Sequence, residues 1–178
     1  FYILDFLLKN IFYYLVTLKK ILIMNKVAII PFQAEYRDRF KDLNVAWLER
    51  FFFVEDKDKE LLDDCENVII KNDGYIYFAK FNSEIVGCFS FIKIDDKIYE
   101  LGKMAVDFNF QGLGIGQELI KFAINLGIKS NWDKIILYSS TKLPHALYLY
   151  RKHGFKEVEL EKDLPYARSD IKMELLLN

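Results

Sequence analysis

Cysteine, proline and histidine are scarce in this chain of 178 residues, which has two, three and two of them. Cys65 and Cys88 form no CxxC pair and have no histidine set beside them. A disulfide framework and a metal site are thereby excluded, and the reading is two free, buried thiols in a reducing, cytoplasmic setting. An excess of one charge is lacking too. Lys and Arg number 25 against 26 Asp and Glu, so no overall positive field draws nucleic acid, and none is expected as a partner. After Met24 there is no repeat, low-complexity linker or interdomain boundary, and the length suits one domain.

A long uncharged hydrophobic run is also missing. Residues 1–23 are almost entirely Phe, Ile, Leu, Tyr, Lys and Asn, yet Asp5, Lys9, Lys19 and Lys20 leave only Asn10 to Leu18 free of charge. That is short of the ~20 apolar residues a membrane span needs, and no small-residue cleavage site follows. Three readings compete: a membrane anchor, an extra amphipathic helix, and upstream sequence read in frame ahead of Met24. The last is favoured. The domain is then expected over 24–178, with no membrane partner unless 1–23 is a true anchor, as a monomer or homodimer.

What is present has clear periodicities. The run 26–32 reads as a strand ended by Pro31. Tyr36, Phe40, Leu43 and Trp47 recur at helical spacing with charges between them. A second, acidic helix is expected from about Asp58 to Cys65, and a turn at Asn72 to Gly74. Three strands, 75–81, 85–94 and 98–106, are separated by polar turns so short that they make an antiparallel meander. A loop with Gly112, Gly114 and Gly116 then opens a helix carrying Ile115, Leu119, Phe122 and Leu126 on one face. A strand at 134–140, a helix at 144–153 and strands at 155–161 and 170–177 close the chain.

The chemistry concentrates at Gln111-Gly112-Leu113-Gly114-Ile115-Gly116. Amides exposed by small residues at a helix start suit a diphosphate, because the orphan donors and the helix dipole both face the anion. The spacing is neither the dinucleotide fingerprint nor a P-loop. Some thirty residues on stands Ala146-Leu147-Tyr148-Leu149-Tyr150-Arg151-Lys152-His153-Gly154-Phe155. The pair resembles the GNAT acetyltransferase superfamily. Gln111, Gly114 and Gly116 fill its Q/R-x-x-G-x-G/A loop, and Ala146, Leu149, Tyr150, Gly154 and Phe155 fill its A-x-x-L-Y-x-x-x-G-F segment. The likeness runs from about Lys26 to Leu177.

The resemblance implies an α/β fold: a mostly antiparallel mixed sheet of about six to seven strands, the fourth and fifth splayed, with about four flanking helices. It implies an acetyl-CoA-dependent N-acetyltransferase that acts on a primary amine of a small molecule or peptide in a ternary complex, without a metal. The coenzyme would lie along Met104, Ala105 and Val106, on the loop from Gln111 to Gln117, including Leu113 and Ile115, and beside Leu143. Leu143 stands where many members have Asn. That departure sustains the rival reading, a catalytically weak coenzyme A-binding sensor or partner protein. A toxin-like enzyme acting on charged transfer RNA is disfavoured by the near-neutral charge.

By the same resemblance Tyr150 is the proton donor to the departing thiolate and Glu100 a base acting through water. Strand alternation sets Glu100, Gly102 and Met104 on one face. Tyr148 is assigned to packing or rim, His145 to an exposed helix start, and His153 to a helix C-terminus favouring positive charge. The acceptor pocket is expected between Glu55, Asp56, Asp58, Glu60, Asp63 and Asp64 on one side and Asp163, Tyr166 and Arg168 on the other. Its acidic rim would attract an amine, with Arg168 available to an acceptor carboxylate.

Overall fold

Alternating strands with apolar residues on both faces must be covered twice, and the computed structural model shows how. It describes residues 2–24, 27–164 and 166–177. Lys26, in the expected first strand, lies outside them. The elements are α1 (Tyr2–Met24), β1 (Val27–Pro31), α2 (Arg37–Phe51), α3 (Asp56–Asp63), α4 (Cys65–Val68), β2 (Tyr75–Phe81), β3 (Glu84–Asp95), β4 (Ile98–Val106), α5 (Ile115–Lys129), β5 (Lys134–Ser139), α6 (Pro144–Lys152), β6 (Lys156–Val158) and β7 (Ile171–Leu176). The seven strands form one sheet in the order β1-β2-β3-β4-β5-β7-β6. Every neighbouring pair is antiparallel except β4 and β5.

Two cores follow from the period of two along the strands. On one face Phe89, Phe91, Tyr99, Leu101 and Leu137 pack with Ile115, Leu119 and Ala123 of α5 and Leu147 of α6. On the other, Ile76, Phe78, Cys88 and Ala105 pack with Phe40, Leu43 and Leu48 of α2, Leu61 and Leu62 of α3 and Cys65 of α4. The expected acidic helix starts earlier, at Asp56, and breaks at Asp64, whose backbone is non-helical. The expected strand 155–161 keeps only its first residues as β6. Six α-helices are described where about four were expected, because the acidic one is split and α1 is added.

The helix α1 runs without interruption, with its side chains from Asp5 to Leu18 exposed apart from a half-buried Thr17. Among the described residues no helix is long and apolar enough to cross a membrane.

The entry to β2 is sterically tight. A Cβ on Gly74 would stand 2.6 Å from the Phe91 carbonyl oxygen and 2.7 Å from that of Ile69. Backbone cannot step aside as a side chain can. Gly74→Ala is therefore expected to lower the unfolding free energy by about 1–3 kcal/mol, read by urea denaturation at constant m-value.

Candidate active site

The site begins where two strands stop pairing. The parallel ladder of β4 and β5 covers only Ile98 to Glu100 against Lys134 to Ile136, while β5 stays bonded to β7 as far as Ser139. Beyond Glu100 the two strands therefore part, as the resemblance implied. A cavity of about 900 Å³ fills the wedge, a size usual for ligand clefts of ~300–1,000 Å³. Of the residues expected at the acceptor pocket Asp58, Tyr166 and Arg168 line it, and all those expected to hold the coenzyme or act in catalysis do so except Ala105 and Leu113. Those two are buried in the opposite cores, which leaves them only backbone to offer.

Alternation along β4 fails at one point. Between Gly102 and Ala105 the register against β3 slips by one residue, and Lys103 there has a φ of 49°. This bulge reverses the phase. Met104 packs with Tyr99, Leu101 and Val106 on the α5 side, while Glu100 meets Tyr166 on the other. The expectation that Glu100 and Met104 share a face is thus overturned. Both still line the cavity, because it reaches the two faces of the sheet through the gap between the strands.

One end of the cavity is backbone. Gly114, with a φ of 92°, precedes α5, whose first bonds run from the amides of Gln117 and Glu118 to the Gly114 carbonyl. The amides from Gly112 to Gly116 take no carbonyl among the described residues. They are the orphan donors of a helix start, next to its positive dipole end. A Cβ on Gly112 would meet nothing within 4 Å, and one on Gly116 only Leu149 and Val106 at 3.9 and 4.0 Å. Packing therefore does not demand glycine at 116, and the bare surface is left for a ligand. The Gln111 amide group donates to the Val106 carbonyl at 3.1 Å, closing the end of β4. Leu143 caps α6 beside this end. Tyr150 is half-buried with its ring against Phe155, its hydroxyl takes no partner among the described residues, and burial pushes its pKa up to about 12.

The other end is a buried ion network that sequence reading did not assemble. Lys103 Nζ donates to Asp58 Oδ1 at 3.0 Å and to the Tyr166 hydroxyl at 3.1 Å. Arg168 donates through both terminal nitrogens to Asp58, at 2.6 and 2.9 Å, and to Glu55 at 2.8 Å. Its guanidinium lies over the Tyr166 ring. Tyr166 in turn donates to Glu100 Oε1 at 3.3 Å. Burial opposes ionisation of Asp58, yet the Arg168 bonds and the Lys103 charge outweigh it and hold its carboxyl below the ordinary value. Burial raises the pKa of Glu100 against the pull of Lys103, and burial lowers that of Lys103 against the pull of Asp58.

The expected acidic rim is accordingly dissolved. Asp58 and Glu55 are occupied by Arg168, and Arg168 is occupied by them, so no fork is open to an acceptor carboxylate. Lys103 was missed because a lysine in a strand that also carries Glu100 reads as a solvated edge. Tyr166 and Arg168 come together through a turn, closed by the Ser169 amide on the Tyr166 carbonyl at 3.1 Å, which the sequence did not signal. His153 ends α6 as its C-cap, as expected. Burial, with Lys152 and Lys121 nearby, lowers its pKa, and its buried Nε2 has no partner among the described residues, which works against the positive charge that a helix end favours. His145 is exposed at the start of α6, and Tyr148 is 66 % exposed at the rim, both beside the cavity.

A splayed sheet with a glycine-opened helix start in the wedge is one known architecture, and the model of the acetyltransferase (GNAT) family matches residues 40–155. The chain belongs to the GNAT family. N-acetylaspartate synthetase from Xenopus tropicalis is 27 % identical over 99 residues, which are 54 % of this chain. The match spans only 36 % of that protein's length. A GNAT acetyltransferase structure from Staphylococcus aureus superposes with a TM-score of 0.77 at 24 % identity, covering 85 % of this chain and 99 % of its own. A GNAT acetyltransferase structure from Elizabethkingia anophelis, which holds acetyl-CoA, gives 0.63 at 25 % identity over the same shares.

Asp58 serves two buried cations, so its loss strands both. Asp58→Asn is expected to destabilise the fold by about 3–5 kcal/mol at neutral pH. Because the folded pKa lies below the unfolded one, the contribution is full above the ordinary aspartate value and is lost as pH falls through the folded value. Denaturation series from pH 7 down to pH 2 should therefore show the variant losing less of its remaining stability on the acid side than the parent.

Proposed function

We propose that residues 24–178 form one cytoplasmic acetyltransferase domain that moves an acetyl group from acetyl-CoA to a primary amine by direct attack in a ternary complex. The observation that carries this reading is the wedge between β4 and β5, with free amides at one end and a buried carboxylate, Glu100, opening on it from the other face. The cavity volume, the free amides from Gly112 to Gly116 and the absence of a Cβ at Gly112 and Gly116 suit a diphosphate and its pantetheine arm. Met104 and Val106 would flank the arm, and Leu143 would give it an apolar contact where others supply an amide. Acetyl-CoA brings a thioester already activated toward attack.

The residues divide the proton work. An amine with a solution pKa near ~10 arrives as ammonium, and Glu100, its pKa raised by burial, accepts a proton through water closer to neutral pH than an ordinary glutamate. The nitrogen lone pair forms the new bond to the acyl carbon, the carbon–sulfur bond breaks, sulfur takes the Tyr150 proton, and the second proton leaving the nitrogen returns through water to the Tyr150 phenolate. A phenol pushed up to about 12 stays protonated at neutral pH and so remains a donor. Cys65 and Cys88 are free and buried, and burial pushes their thiols up to about 11 and about 12. Neither offers a thiolate for a covalent intermediate, and both suit a reducing compartment.

Two variants test the coenzyme end. Tyr150→Phe should lower kcat by about 10²-fold with calorimetric acetyl-CoA binding unchanged. Unchanged kcat would reduce Tyr150 to packing, and binding without any release of thiol would favour the sensor reading that Leu143 sustains. Gly116→Ala should raise stability by up to ~1 kcal/mol, since alanine is the better helix former and its methyl meets only ordinary contacts. The same variant should weaken acetyl-CoA binding. Tighter folding with unaltered binding would move the diphosphate away from this helix start.

A further inference from the structure

The charges around the Glu100 end of the cavity are almost all spent on one another. Among the described residues Asp58 and Glu100 are the only carboxylates lining the cavity, and the Lys and Arg residues are Lys103, Arg168 and Lys142, the last exposed beside Leu143 at the opposite end. Asp58 is fully buried, with both oxygens taken by Lys103 and Arg168. Glu55, just outside, accepts from the Ala167 and Arg168 amides and from the Arg168 side chain. Lys103 is 5 % exposed and Arg168 13 %; Lys103 donates to Asp58 and the Tyr166 hydroxyl, and Arg168 to Asp58 and Glu55. Glu100 differs. Its Oε1 holds only the Tyr166 hydroxyl, at 3.3 Å, and its Oε2 takes no donor among the described residues. One unsatisfied anionic acceptor is thus offered to an incoming group.

The same cavity has an aromatic stretch of wall. Trp47, Phe51 and Phe52, at the end of α2, line the cavity. Their rings lie against one another, Trp47 to Phe51 at 5.3 Å and Trp47 to Phe52 at 5.8 Å. Phe51 is 43 % exposed, an apolar surface that gains by being covered.

Resting on the acetyl-transfer reading, we propose that the acceptor is a primary monoamine on an aromatic or similarly apolar carbon frame, bearing neither a carboxylate nor a second ammonium. Its ammonium meets Glu100, and its frame lies against Trp47, Phe51 and Phe52. A carboxylate on the acceptor would enter a region whose two buried cations are already bonded, and would be desolvated without a partner. A second ammonium would find no carboxylate left, because Asp58 is neutralised twice over. The pocket therefore rejects amino acids and polyamines by unpaired charge and not by size.

The test uses the full chain with acetyl-CoA and four amines chosen as matched pairs. Thiol release is followed with 2-phenylethylamine and with phenylalanine, the same frame plus a carboxylate, and then with pentylamine and 1,5-diaminopentane. The expected result is a kcat/KM at least about 10²-fold higher for the first member of each pair. Phe51→Ala should raise KM for 2-phenylethylamine about tenfold and leave the acetyl-CoA Kd unchanged. Equal or faster turnover of phenylalanine or the diamine overturns the acceptor class while acetyl transfer stands. Calorimetry of 2-phenylethylamine into the coenzyme A complex separates the two ideas. Binding without release retains the pocket and sinks the chemistry, and absence of binding sinks the pocket. Aspartate is added as a fifth amine, and preferential turnover of it also overturns the proposal.

Discussion

Every backbone donor and acceptor in a folded chain needs a partner, and at β4 that need is left open by the sheet itself. The ladder to β5 ends at Glu100, although β4 continues to Val106 and β5 to Ser139. Another strand, water or a ligand must fill the gap. No strand does so, since β7 lies on the far side of β5. The wedge is consequently a place inside the sheet, away from the edge strands β1 and β6, where an extended molecule with its own amides can lie against protein backbone. The glycine-opened start of α5 stands at its mouth because the same short loop, 107–114, that leaves β4 must turn at once into the crossover helix.

The gap would be unstable if the second half of β4 were free to swing back onto β5. The bulge at Lys103 and the ions beneath it hold it in place. A lysine in left-handed backbone is uncommon, and here the side chain is tied to Asp58 and Tyr166. These in turn are tied to Arg168 at the approach to β7. The network thus joins α3, β4 and the segment before β7 across the acceptor end. Its charges pair inside a buried space, where breaking one partner is far more damaging than the pair is stabilising. It serves geometry more than stability.

Most of the fold was legible because its signals are local. The meander follows from two polar turns, the crossover helix from Ile115, Leu119 and Phe122, and the wedge from the glycine loop with the Tyr150 segment. The phase of β4 was not legible. A one-residue bulge reverses a face without changing the apolar pattern, so Glu100 and Met104 were expected together and stand apart. The ion network was illegible for a related reason. Asp58, Lys103 and Arg168 are 45 and 65 residues apart along the chain, and each alone reads as a solvated charge. Only the fold makes them neighbours, and their mutual pairing leaves Glu100 as the carboxylate on the cavity with no cation bonded to it among the described residues.

Position 103 carries two demands that favour different residues. Its backbone would be relaxed by glycine, while its surroundings require a long cationic side chain reaching Asp58 and Tyr166. No single substitution meets both, so drift there has to be concerted with change at Asp58, Tyr166 or Arg168. The loop from Gly112 to Gly116 stands at the opposite extreme. It offers backbone, and apart from the core residues Leu113 and Ile115 the side chains beside it are free to vary one at a time. Divergence among chains built this way should proceed stepwise at the coenzyme end and in correlated jumps at the acceptor end.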